Sequence, residues 1–426
     1  LKLACCALLC CLVLVPSVHA QGEPLPGSVS WQALLALIQA RSPRLVALRS
    51  QGKVADAETR VAGVLPNPSL DYTGFGRLSH ANNYGTQHQI GIEQPILIAG
   101  QRGAHVEAAK RRAEAVRAEI AVSESDLERE ALHAWAELLA TQERLAELTR
   151  AHTDVDAVSH TVHERVAAGA EAQYDASRVE LESAQLDARV ASAAAEVKSS
   201  SAELAQTLGL PAWQPQAQGE FAPIGVGGDF EQLWHDAQRK LPLLRAGERR
   251  TFAAQSEIEV ARAERWGIPS VNGGTFLTTD QGSTSIFLGF SFPLPLFNFG
   301  GAALDRAAAG LAAAEADRDA DRARAEAALK GALVTLAARR AALDTYDRGV
   351  ANRLPGLREM AETAYRSGSA SLLELLDSVR SAIEVRLARI EIVGQVLQAE
   401  FDVLLAAGAL HGAAAGTPGT GKPAPH

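Results

Sequence analysis

From Gln101 to about Val166 the chain has no proline and one glycine. Its apolar positions recur every three, four or seven residues: Leu127, Ala131, Ala134, Leu138, Leu145, Leu148, Val155, Val158, Val162 and Val166. That spacing predicts a helix of roughly 95–100 Å with a heptad-like seam. Alone, such a helix would leave its seam in water, so the pattern calls for neighbours. Ala167-Ala168-Gly169-Ala170 breaks it. A return helix of roughly 55 Å then runs from about Ala172 to Leu208 and stops at Gly209-Leu210-Pro211. Upstream, Ser30 is a candidate N-cap for a helix through Leu34, Leu37 and Ile38 to Arg41. Ser42-Pro43 restarts a helix that ends near Leu65-Pro66. Pro68 to Phe75 and Gln87 to Glu93 alternate polar and apolar residues around a polar stretch, 76–85, and read as a β-hairpin. Leu70, Tyr72 and Gly74 share one face of the first strand; His88, Ile90 and Ile92 share one face of the second.

The same order of elements then recurs. Leu34 and Pro43 correspond to Leu233 and Pro242, Pro95 to Pro293, and Gly169 to Gly368. Ser270 to Leu277 and Ser283 to Phe290 form the second hairpin, and a second long helix is expected from about Ala302 to Tyr365. Its residues Leu329, Leu336, Leu343, Val350 and Leu357 stand seven apart, the signature of left-handed supercoiling; Pro355 should bend or interrupt it. A return helix runs from Ser371 to about Leu405. The expected organisation is therefore a leader at 1–20, a first repeat at 21–210 (β-hairpin 67–93, helical hairpin 101–208) and a Pro/Gly-rich linker at 211–228. A second repeat follows at 229–407 (β-hairpin 269–293, helical hairpin 300–405), then a disordered tail at 408–426.

Composition narrows the classes. Leu3 to Val15 is apolar and Val18-His19-Ala20 precedes an expected cleavage at Gln21, which reads as a secretory signal peptide. Cys5, Cys6, Cys10 and Cys11 all fall inside it, leaving no thiol for a disulfide or metal site afterwards. A formal net charge of -9 argues against nucleic acid. No later stretch is apolar enough for a transmembrane helix. No phosphate loop, zinc-protease motif or nucleophile elbow is found, so neither an enzyme nor a cofactor is expected. Four strands cannot close a barrel in lipid, because open edges leave backbone groups unsatisfied. Symmetric assembly supplies the missing strands, without fixing the number of copies. A pore-less periplasmic coiled-coil scaffold or adaptor is the alternative, and the two matched units argue against it.

Three strings carry a resemblance: Leu65-Pro66-Asn67-Pro68-Ser69-Leu70, the junction from Glu93-Gln94-Pro95-Ile96 to Gly100-Gln101-Arg102, and Phe292-Pro293-Leu294-Pro295-Leu296-Phe297-Asn298. With the duplicated arms ending at Gly169 and Gly368, they make the chain similar to outer-membrane efflux proteins of the TolC type, and within them to the CzcC-like heavy-metal branch. The resemblance implies an α/β outer membrane factor: a long coiled-coil helical barrel plus a transmembrane β-barrel, with four strands per protomer and twelve in a homotrimer. It implies a passive exit channel in the bacterial outer membrane, reaching into the periplasm. There it would meet a periplasmic adaptor (membrane fusion) protein and an inner-membrane RND-type pump. The cargo would be divalent heavy metals, with organic toxins or drugs as the alternative.

The resemblance also assigns residues. Glu374 and Asp377, three apart on one helix face, match the paired acids that narrow the pore, although the first is usually Asp. Two solvated acids favoured by a helix N-terminus would look the same. Tyr365 matches a tyrosine that latches the closed tip, whereas Ala370 stands where that family has a latching arginine. The turns at Arg165 to Gly169 and Arg366 to Leu372 (Arg165, Gly169, Arg366, Gly368, Leu372) are candidates for adaptor contact. His152, His160 and His163 cluster in sequence; His160 and His163 are weak metal-ligand candidates, and a polar helix surface is the simpler reading.

Overall fold

The long seam finds its neighbours within the same chain. The computed structural model describes residues 24–76, 86–169, 172–278, 283–350 and 353–415. The expected leader, residues 77–85 of the first hairpin loop and the last residues of the tail lie outside that set. Helix α3 spans Gln101–Ala167 without interruption, and α4 spans Gln173–Leu208. Gly169, at φ 73°, ends the first helix in the left-handed region that L-residues rarely adopt. Leu127, Ala131, Leu138, Leu148, Val155 and Val162 are buried, as the heptad spacing requires.

In the second repeat the helix breaks. Helix α7 covers Gly301–Gly349, and α8 resumes at Leu354–Arg366 with Pro355 in its first turn, where a missing N–H costs nothing. The seam follows the break: Leu329, Leu336 and Leu343 are buried, while Val350 and Leu357 are exposed. The single helix expected from 302 to 365 is therefore two. Helix α9, Leu372–Ala406, returns along it. The shorter helices α1 (Trp31–Arg41) and α2 (Pro43–Ala62) lie against α3; α5 (Phe230–Lys240) and α6 (Pro242–Glu264) lie against α7, and α6 also packs on α3.

The segments between and after the repeats carry structure of their own. The linker 211–228 contains a short strand, β4 (Gln216–Ala217), paired in parallel with β1 (Ser28–Val29). Trp213 is buried there, and its indole N–H donates to the Pro26 carbonyl at 2.8 Å. The tail is helical over Leu410–Ala415 (α10), and Leu410 is buried in the same core as Trp135 and Phe401.

Strands β2 (Ser69–Phe75), β3 (Gln87–Pro95), β5 (Ser270–Thr278) and β6 (Ser283–Ser291) form one antiparallel sheet in the order β2-β3-β5-β6. Both junctions from sheet to long helix pass through a glycine in the left-handed region, Gly100 (φ 76°) and Gly300 (φ 75°). A Cβ on Gly300 would lie 2.5 Å from the Arg265 side chain, so this junction excludes larger residues twice over. Gln101 locks the first junction to the second repeat: its amide donates to the Gly267 carbonyl at 3.2 Å and accepts from the Ala99 N–H at 2.8 Å.

Candidate functional site

The sheet has two unlike faces, and its register defines them. Leu70 lies opposite Ile92, and Tyr72 opposite Ile90. The same rows continue through Gly273 to Leu288 and through Thr275 to Ile286, with Phe290 opposite Val271. This face is aliphatic and aromatic, yet Leu70, Ile286, Leu288 and Phe290 are 73%, 87%, 84% and 84% exposed. The opposite face carries Asp71, Thr73, Gln87, Gln89, Glu93, Asn272 and Ser285, interrupted by Phe75 and by Phe276 packed on Phe287. Below β6, Leu294, Leu296, Phe297 and Phe299 continue the exposed apolar band. The sheet thus pairs one largely apolar, exposed face with one largely polar face, and β2 and β6 are its open edges. Among the described residues no helix is long and apolar enough to cross a bilayer.

At the far end of the helices the two turns share one core. Val155, Val162, Val179, Tyr365, Leu375, Leu376 and Val379 pack together. Arg165, in the last turn of α3, reaches across to the second repeat. Its Nη1 donates to the Tyr365 carbonyl at 3.3 Å, and its guanidinium lies 5.0 Å from the Tyr365 ring centroid. A cation over an aromatic face is attractive, more so when partly desolvated, and Tyr365 is only 3% exposed. The sequence separates this pair by some two hundred residues, so only the packed turns bring it together.

The acidic pair is brought to this end but not into equal surroundings. Glu374 belongs to a capping box: its carboxylate accepts from the Ser371 N–H at 2.7 Å, and the Ser371 hydroxyl accepts from the Glu374 N–H at 3.3 Å. Asp377 is exposed one turn further on. Arg380, one turn beyond, has its pKa held above its ordinary value chiefly by a hydrogen bond to Glu182, with a smaller contribution from the charge of Asp377. The pattern Ser-x-x-Glu at 371–374 is a capping-box signature, so sequence reasoning could have found the Glu374 contact.

The turn residues also divide. Gly368 (φ 76°) matches Gly169, and Arg366 is exposed. Leu372 is 4% exposed within the shared core. His160 faces Glu164 at 3.5 Å, and His163 faces Glu180 at 3.0 Å. Among the described residues no three His, Cys, Asp or Glu converge as a metal site.

Sequence reasoning missed Glu400. This carboxylate on α9 is fully buried and accepts from the N–H groups of Ile224 (2.5 Å) and Gly225 (3.0 Å) in the linker. Arg340 on α7 donates both to it and to the Val226 carbonyl. The segment joining the repeats is thereby fixed to the helices.

The sheet above and the helical tip below define a membrane conduit. The outer membrane efflux protein family matches the chain twice, over residues 34–210 and 233–409, and the chain belongs to that family. It is 25% identical to the cobalt-zinc-cadmium resistance protein CzcC of Cupriavidus metallidurans over 381 residues, 88% of each chain. It is 27% identical to the nickel-cobalt-cadmium resistance protein NccC of Alcaligenes xylosoxydans xylosoxydans over 342 residues, 77% of this chain and 74% of that one. Among solved structures, the outer-membrane channel OprN superposes with a TM-score of 0.72 at 18% identity, covering 89% of this chain and 90% of that one. CusC, described as forming a transmembrane channel, superposes with a TM-score of 0.70 at 16% identity, covering 88% and 91%. The protein is thus an outer-membrane exit channel subunit that extends into the periplasm, a passive conduit and not an enzyme. Its fold is that of these solved outer-membrane channels.

Proposed function

We propose that three copies close into a twelve-stranded barrel and a helical tube that carry divalent heavy-metal cations out of the periplasm. The observation behind this reading is the four-stranded sheet, apolar outward and polar inward, with two open edges that lipid would not tolerate. Pairing β2 of one copy with β6 of the next removes every edge in a closed ring. A periplasmic adaptor and a proton-driven inner-membrane pump of the RND type would complete the path, with the turns at Gly169 and Gly368 and the exposed Arg366 facing the adaptor. The metal-resistance names of the two relatives support the cargo. The test is deletion of the gene, followed by growth on zinc, cobalt, nickel, cadmium and copper beside dyes, detergents and antibiotics, with metal accumulation measured in the same cells. Sensitivity and accumulation confined to metals are expected. Sensitivity confined to organic compounds would keep the channel and reject the metal cargo.

Within this reading the Arg165–Tyr365 contact is the clasp that holds the tip closed, in place of the arginine that Ala370 lacks. Asp377, and Glu374 from within its capping box, would ring the opening with negative charge that favours cations. Arg165→Ala should raise single-channel conductance in planar bilayers by about threefold, an outcome read against the small attraction lost. Unchanged conductance in a correctly assembled trimer would remove Arg165 from the gate.

A further inference from the structure

The lower part of α3 carries two histidines with an unusual pair of surroundings. His152 faces Asp156 on its own helix through Nδ1 at 3.2 Å and Asp187 on α4 through Nε2 at 2.8 Å. His163 faces the Ser159 carbonyl through Nδ1 at 2.8 Å, with the Ser159 hydroxyl 3.4 Å from the same nitrogen, and Glu180 on α4 through Nε2 at 3.0 Å. A carbonyl or an ionised carboxylate can only accept a hydrogen bond, and a neutral imidazole has only one N–H. Each of these rings therefore has more acceptors than its neutral form can serve. Only the imidazolium donates to both sides at once. Three helical turns separate the two histidines, so they lie on the same face of α3, toward α4.

Other charges surround these rings. On α3 itself the ionisable neighbours include Asp154, Asp156 and, near the end, His160 paired with Glu164. Asp156 also accepts from the Ser183 hydroxyl of α4 at 3.0 Å. From α4 come Glu180, Asp187 and the buried Glu182, with Arg178 beside the Tyr174 hydroxyl and Arg189 paired with Glu384 of α9. The arginines of α9 are engaged: Arg380 with Glu182, Arg386 with Glu147 and Arg389 with Asp347. Arg165 and Tyr365 lie together beyond His163.

We propose that His163 forms an acid-dependent clasp that fastens α4 to α3 when protonated and loosens it when neutral. The sign follows from the geometry. Hydrogen bonds to the Ser159 carbonyl, first, and to Glu180 raise the pKa of His163 above its ordinary 6.5. The charged, doubly donating contact is therefore complete below 6.5; as pH rises through the raised folded-state value the ring loses its charge and one of its two donations. The second hairpin, residues 301–406, contains no histidine, so the device acts on one arm of the duplicated tip only. The periplasm exchanges small ions with the medium, and the hairpin would thus stiffen as the surroundings acidify. This inference rests on the α3–α4 contact, not on the identity of the cargo.

Amide hydrogen exchange on the purified, detergent-solubilised full chain tests it, with protection corrected for the intrinsic effect of pH. Amides of α4 over residues 178–188 should be about threefold or more better protected at pH 5.5 than at pH 8, as expected for a local opening equilibrium coupled to protonation. Amides of α9 over 378–388 should show no such change. His163→Gln should abolish the dependence. So should Glu180→Gln, which keeps the histidine and guards against a misfolded first variant. Equal protection at the two pH values, a change shared by α9, or a dependence that survives either substitution would overturn the clasp.

Discussion

Glu400→Ala should be among the most destabilising single substitutions in this protein, lowering unfolding free energy by about 3–5 kcal/mol. The side chain is fully buried and receives two linker N–H groups and the Arg340 guanidinium. Truncation leaves a cation and two backbone donors without their acceptor, and each orphaned group costs its own desolvation. Arg340 is about one-third exposed, so water can recover part of its loss, and the lower end of that range is expected. Glu400→Gln keeps the shape and one acceptor oxygen, and should cost less than the alanine. Denaturant unfolding of the purified protein measures both. A loss below about 1 kcal/mol for the alanine variant would mean that the linker is held by Trp213 and its neighbours instead.

Leu288→Arg should largely remove the protein from the outer membrane, whereas Ser285→Arg should not. Leu288 lies on the apolar face near the middle of β6, opposite Gly273; Ser285 lies on the polar face of the same strand, opposite Phe276. Arginine on the lipid side of a barrel costs about 2–4 kcal/mol at the bilayer midplane, and a symmetric assembly would incur it in every copy. The same residue on the water side meets solvent. Quantifying the protein in outer-membrane fractions and its heat-sensitive oligomer on gels reads the contrast. The reverse ranking would show that the two faces have been assigned backwards.

Much of the fold was legible because it obeys short rules. The heptad seam of α3, the caps at Ser30 and Gly209, and the alternation in all four strands each follow from local periodicity or local chemistry. The duplication made each element evidence for its counterpart. What escaped has a common cause: contacts between segments distant in sequence. Nothing local marks Glu400 as the anchor of residues 224–226, or Arg165 as the partner of Tyr365. The β1–β4 pairing involves two residues from each strand, too few for periodicity to register. Pro355 was a correct warning of a break, but proline is comfortable in a first turn, so the helix ends at Gly349 and restarts just before it. At the tip, the resemblance located the acidic pair but could not say that Glu374 is occupied in capping its own helix.

The strand order carries a further consequence for how the chain reaches its folded state. Each outer pair, β2 with β3 and β5 with β6, joins strands close in sequence. The central ladder between β3 and β5 joins residues about 180 positions apart, with the whole first helical hairpin between them. High contact order slows folding, since the entropy of closing a long loop comes before its contacts form. The helices, whose contacts begin locally, should therefore order first and deliver the two hairpins side by side. Until then neither hairpin offers a wide greasy surface, and the newly exported chain is spared a long sticky edge while it is still in water.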